Sequence, residues 1–191
     1  MTIPLFRSGF TELKTILEEA RSYRCGIYQH LQDQSGPLRD IIIDYSTLAY
    51  YEKGANLKID LFKLLGVLTY GATRGAVFVC DSISPTSSKG TFASALQQQD
   101  IFPIILPLKH DKQRGIDYCI ETLLLDTSGK DVQEILLLSK DGEHFGAPLN
   151  HIRQHGLRTM LGKLPQTPEP LIDAADECID LNEAMLRTCL R

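Results

Sequence analysis

The chain has 191 residues, 43% of them hydrophobic and 23% charged, which is ordinary globular composition and argues against disorder. That length supports one well-packed domain and not two comfortable ones. The formal net charge of -4 excludes a duplex-coating protein driven by bulk positive charge, so any nucleic-acid binding must come from a local basic patch.

Residues 10–31 carry apolar side chains at helical spacing (Phe10, Leu13, Leu17, Ala20, Ile27, Leu31) and predict an added N-terminal helix. Asp33-Gln-Ser-Gly-Pro37 breaks the pattern as a turn. From there strands and helices alternate. Ile41-Ile42-Ile43 is a β-branched run suited to a strand buried on both faces. Residues 59–70 read as helix, Ala76 to Cys80 as a second strand, and 91–99 as helix. Phe102 to Leu106 is a third strand, weakened by Pro103. Residues 116–126 are helical, Ile135 to Leu138 is a fourth strand, and 145–155 is a helix ended by Gly156. Leu157 to Leu161 is a fifth strand, and 169–189 is helical in one or two pieces. Strands separated by helices imply an α/β fold: a three-layer parallel sheet with helices on both faces, its ligands at the carboxyl edge. The expected division is an N-terminal helical extension over 1–36 and one domain over 37–191.

Three of these five strands run into acid: Ile43 into Asp44, Cys80 into Asp81, and Leu138 through Ser139-Lys140 into Asp141, with Glu143 following. Asp117 is expected to open the helix after the third strand, with Glu121 one turn later. One Asp after a strand is usually an N-cap. Several carboxylates converging at one edge repel one another unless a cation sits among them, and oxygen ligands select hard ions such as Mg²⁺ or Mn²⁺. Asp81, followed by Ser-Ile-Ser-Pro, is the weakest member and is left out of the expected site. Lys109-His110-Asp111-Lys112-Gln113-Arg114 reads either as a solvated loop or as a phosphate contact beside the metal. His144 reads as a surface loop residue, with proton donation as its functional alternative.

The five cysteines (Cys25, Cys80, Cys119, Cys178, Cys189) form no C-x-x-C pair or Cys/His cluster. They are expected to be free thiols in a reducing compartment rather than zinc ligands. The N-terminal residues Arg7, Glu12 and Lys14 interrupt any signal-peptide run, and no stretch approaches the roughly 18 uncharged residues of a membrane span. A cytoplasmic protein without membrane contact is expected.

The motif order resembles the NYN domain of the PIN-like ribonuclease superfamily, which includes the LabA-like proteins. The matching pieces are Ile41-Ile-Ile-Asp44, Arg114-Gly-Ile-Asp117, Leu137-Leu-Ser139-Lys-Asp141-Gly-Glu143, Pro148-Leu149 through Arg153 to Gly156 and Met160, and the tail from Leu171 to Leu181. The resemblance spans roughly residues 39–181. It implies a PIN-like Rossmann-type fold and a nuclease that cuts single-stranded RNA with Mg²⁺ or Mn²⁺, a metal-activated water being the nucleophile. Asp44, Asp117, Asp141 and Glu143 would be the metal-binding and catalytic acids. Thr47, Lys109, Lys112, Arg114 and Lys140 would contact substrate. Three positions differ from the family pattern. Thr47 replaces a usual Asn, Lys140 takes the glycine position of a Ser-Gly-Asp motif, and Glu143 stands where a second Asp is usual. The segment between Glu143 and Pro148 is also longer than usual.

Two other readings compete. A catalytically degenerate NYN domain would bind RNA or a protein without cutting, its N-terminal helix serving as a docking or homodimer surface. Ile43-Asp44-Tyr-Ser-Thr47 also resembles the nucleophile motif of HAD-type phosphatases, though Ser46 occupies the place of their second Asp. The sequence has no P-loop, no G-x-S-x-G elbow and no Gly-rich dinucleotide turn.

Overall fold

The computed structural model describes residues 5–31, 36–83, 89–107, 112–127 and 132–191, with side chains described for 12–31, 36–81, 92–106, 114–127 and 132–191. The expected turn at 33–37 therefore falls largely outside the described residues. In chain order the elements are α1 (Leu5–His30), β1 (Leu38–Asp44), α2 (Tyr45–Ala55), α3 (Leu61–Leu68), β2 (Thr73–Ile83), α4 (Lys89–Gln97) and β3 (Phe102–Pro107). They continue with α5 (Lys112–Leu125), β4 (Glu134–Leu138), α6 (Gly142–Gln154), β5 (Arg158–Lys163), α7 (Glu169–Asp173), β6 (Glu177–Asp180) and α8 (Glu183–Thr188).

The six strands form one sheet in the order β3-β2-β1-β4-β5-β6, every neighbouring pair parallel. The middles of the central strands are apolar because both faces are covered: Ile41, Ile42 and Ile43 of β1 and Leu136, Leu137 and Leu138 of β4 are each 0% exposed. Side chains alternate between two cores. On one face Ile42, Phe78, Ile135 and Leu137 meet α1, α5, α6 and α7; on the other Ile41, Ile43, Val77 and Leu136 meet α2, α3, α4 and α8. The chain is thus the three-layer α/β fold that its alternating pattern predicts.

The added helix α1 is part of this packing. Leu17 and Ala20 enter the first core, and Arg24, 1% exposed, sits beneath the helix with its Nε 2.9 Å from Asp40 Oδ2. The same carboxylate accepts from Tyr28 Oη at 2.6 Å and from the Ala76 N–H at 2.8 Å. The β1–β2 register shifts here, Arg39 pairing with Arg74 but Ile41 with Val77, so β2 carries one extra residue as a bulge. Gly75 makes room for it, since a Cβ there would lie 2.5 Å from Asp40 Oδ1 and 3.0 Å from the Arg39 carbonyl oxygen.

Two expectations need correction. The span 169–189 is not purely helical: β6 forms within it as a sixth strand on the sheet edge, between the short helices α7 and α8. The helix α2 lies where the sequence reading left a gap, directly after Asp44. Pro103, by contrast, fits its place because β3 is the other edge strand. All five cysteines are free thiols, and no helix among the described residues is long and apolar enough to cross a membrane.

Candidate metal centre

Strand order reverses direction between β1 and β4, and sheets of this kind bind ligands in the crevice beyond the carboxyl ends at such a switch point. Asp44 ends β1 and caps α2, and Asp141 follows β4 and caps α6. Both therefore fill the ordinary role of an acid after a strand, each cap stabilising its helix by about 1 kcal/mol. Their surroundings differ.

Asp44 is buried and enclosed by hydroxyls. It accepts from Ser46 Oγ at 2.6 Å, Thr47 Oγ1 at 2.7 Å and Ser139 Oγ at 3.0 Å, with the Thr47 N–H at 3.4 Å. Ser139 Oγ in turn accepts from the Asp141 N–H at 3.2 Å, and Thr47 Oγ1 from the Lys140 N–H at 3.3 Å. The loop after β4 is thereby fixed to the end of β1.

Beside this web Asp117, Asp141 and His144 converge. Each offers one ligand atom, and the three atoms lie within 4.8 Å of one another. His144 Nδ1 is 3.0 Å from Asp141 Oδ1, and its Nε2 is 4.0 Å from Asp117 Oδ2. The hydrogen bond to Asp141 and that residue's charge raise the imidazole pKa above its ordinary value, desolvation opposes them, and the charges of Asp117 and Glu143 add smaller upward contributions. Two carboxylates and an imidazole at this spacing could hold a divalent ion. The carboxylates suit Mg²⁺ or Mn²⁺, and the imidazole favours a transition ion such as Mn²⁺.

The sequence-derived residues separate accordingly. Asp117 and Asp141 come together. Asp44 belongs to the hydroxyl web next to them, Thr47 is buried in the same web, and Glu143 is exposed in the first turn of α6. Asp117 does not open its helix: α5 begins at Lys112, because Lys, Gln and Arg are good helix formers that extend it N-terminally, and Asp117 lies on its buried side with Ile116 and Ile120. Glu121 is exposed, so the one-turn spacing does not bring it to the trio. Lys140 is exposed, with its ammonium 3.4 Å from the centroid of the Tyr50 ring. Arg114 is exposed on α5, the Lys112 side chain is outside the described residues, and so is Lys109 altogether. His144 is helical rather than in a loop, and its contact with Asp141 follows from the cap: Asp141 accepts from the His144 N–H at 3.2 Å, which brings the ring alongside. The Asp-x-x-His spacing was the available signal.

A family model for the NYN domain matches residues 40–182. The chain belongs to the NYN family. The NYN match starts at Asp40 and takes in Asp44, Asp117, Asp141 and His144, while leaving α1 outside it. The NYN domain is of the PIN-like class, a nuclease fold. Among solved structures, a protein of unknown function from Vibrio parahaemolyticus is similar, with a TM-score of 0.63 at 18% identity over 80% of this chain and 97% of that one. At that identity the shared fold is what the similarity shows. No curated protein is significantly similar to this NYN chain in sequence.

Proposed function

We propose that the protein is a Mg²⁺- or Mn²⁺-dependent ribonuclease that hydrolyses phosphodiester bonds in single-stranded RNA. The observation that carries this reading is the convergence of Asp117, Asp141 and His144 at the carboxyl edge of an NYN domain's sheet. Asp117 and Asp141 would hold the ion through carboxylate oxygens, with a deprotonated His144 adding a ring nitrogen. When bound, a divalent ion supplies Lewis acidity toward the phosphate and makes water more acidic.

The chain's own residues supply position and charge. Asp44 adds negative charge behind the trio and, through Ser139, fixes where Asp141 stands. Glu143 adds a further negative charge in the same turn as His144. Lys109, Lys112, Arg114 and Lys140 offer cations to the RNA phosphates, contacts that position a strand without reading its sequence. The family match favours the nuclease over the phosphatase reading. The second reading is a non-catalytic NYN module that binds RNA or a protein, and it is favoured by one observation: the carboxylate of Asp44 is already engaged by three hydroxyls.

Incubation of labelled single-stranded RNA with Mn²⁺ separates the two. Wild type is expected to cut, and Asp117→Asn or Asp141→Asn to lower the rate at least about 100-fold, the range seen when a charge-stabilising group is lost from an active site. Equal cleavage by wild type and Asp141→Asn refutes the site. RNA bound but uncut by wild type establishes the non-catalytic module.

A further inference from the structure

Tyr50 is 59% exposed. It lies on α2 one turn beyond Thr47, and its ring carries the Lys140 ammonium at 3.4 Å from the centroid. The backbone N–H of Lys140 is bonded to Thr47 Oγ1, and its neighbours in sequence are Ser139 and Asp141. An exposed ring and an exposed cation therefore stand together, the ring on the helix that Asp44 caps and the cation on the loop bonded to Thr47, next to Asp141 in the chain. The contact with Tyr50 holds the ammonium over the face of the ring.

We propose that Tyr50 and Lys140 form a clamp for one unpaired nucleotide next to the cleaved phosphate, the ring stacking the base and the ammonium receiving the phosphate. The proposal rests on the ribonuclease reading and specifies its substrate class. A base face is available to stack only when it is unpaired and splayed out, so the clamp accepts single strands and not the interior of a duplex. Lys140 occupies the ring in the free protein, and the exchange favours the nucleotide because a base–aromatic stack is stronger than an exposed cation–π contact. The released ammonium remains within a side chain's reach of the phosphate it then pairs. Tyr50 is thus a positioning residue for Lys140 and a recognition residue for the base; the acids keep the chemistry.

The test measures binding of a fluorescein-labelled single-stranded RNA and of the same sequence as a blunt duplex, by fluorescence anisotropy over a range of salt with a chelator present. The proteins are wild type, Tyr50→Phe, Tyr50→Leu and Lys140→Gln, with circular dichroism to verify folding. Tyr50→Leu is expected to weaken single-strand binding about tenfold and leave duplex binding unchanged, whereas Tyr50→Phe, which keeps the ring, stays close to wild type. Lys140→Gln is expected to reduce the slope of log Kobs against log salt by about 0.7, one phosphate contact on a single strand. Single-strand affinity unchanged by Tyr50→Leu, or lowered equally by Tyr50→Phe, overturns the clamp while the ribonuclease reading stands. If wild type neither binds nor cuts RNA, the ribonuclease reading falls and the clamp falls with it.

Discussion

Replacing Arg24 by Met tests how deeply α1 is built into the domain. The substitution keeps a long, unbranched apolar stem over Phe78 but removes the guanidinium that lies 4.9 Å above that ring. It also removes the 2.9 Å pair with Asp40 and the 3.1 Å bond to the Leu123 carbonyl. Deleting one partner of a buried ion pair costs about 3–5 kcal/mol, because the other charge stays behind. Asp40 keeps its bonds from Tyr28 and Ala76, which puts the expected loss near the lower bound, at about 3 kcal/mol. For a domain of this size that corresponds to a fall in Tm of roughly 6–12 °C, read by circular dichroism with urea unfolding alongside. The penalty depends on pH. Burial already raises the Asp40 pKa, with Arg24 the largest opposing influence, so the variant's carboxyl rises further. A carboxyl with a higher pKa folded than unfolded holds its proton more tightly when folded, so the penalty is largest at neutral pH and shrinks as pH falls through the folded pKa. Pairing Arg24→Met with Asp40→Asn should recover part of the loss. A single-variant loss below about 1 kcal/mol, the scale of a surface ion pair, or a penalty that grows toward acid pH, would refute the assignment of a buried pair.

Two further outcomes are expected. Ser139→Ala removes the hydroxyl that bonds both Asp44 and the Asp141 N–H, and should weaken Mn²⁺ binding about 10- to 100-fold, as outer-shell changes do; electron paramagnetic resonance of free Mn²⁺ measures it, and unchanged affinity counts against Asp141 as a ligand. Burial raises the Tyr23 pKa to about 12 from its usual 10.0. Unfolded chains lose that proton first, so Tyr23's contribution to stability is intact below pH 10 and is lost as pH rises toward 12, visible as late tyrosinate absorbance that is absent in Tyr23→Phe.

The fold was legible in the sequence wherever both faces of a strand are covered. Ile41 to Ile43 of β1 and Ile135 to Leu138 of β4 read as unbroken apolar runs because none of these positions meets water, and the acids that follow them mark the carboxyl edge. The elements that escaped are those with weak patterns. The helix α2 mixes three tyrosines with Glu52, Lys53 and Gly54, so its buried side at Thr47 and Leu48 makes no clear stripe. β6 is a four-residue edge strand with acids at both ends, half-exposed along its length, and its few apolar residues blend into helical periodicity. Within the site, chain order pointed to Asp117 and Asp141 and the Asp-x-x-His spacing marked His144, but neither could reveal that Asp44 would be taken up by hydroxyls or that His144 would also approach Asp117. Those contacts join α2, α5 and α6 in space. Arg24 was hidden for a similar reason, because a charge in a helix ordinarily marks the solvated face and its partner Asp40 lies on a different element, the strand β1.

The two ends of the sheet carry a consequence for how copies of the protein can associate. An edge strand is a template for further pairing, and proteins that stay soluble interrupt it. Here β3 carries Pro103, which has no N–H to donate, and β6 carries Glu177 and Asp180. Growth by strand addition is discouraged by a missing donor on one side and by the short, charged strand, with Asp180 and the Glu177–Arg158 pair, on the other. These devices leave the helical layers untouched, and α1 lies outside the family-matched region.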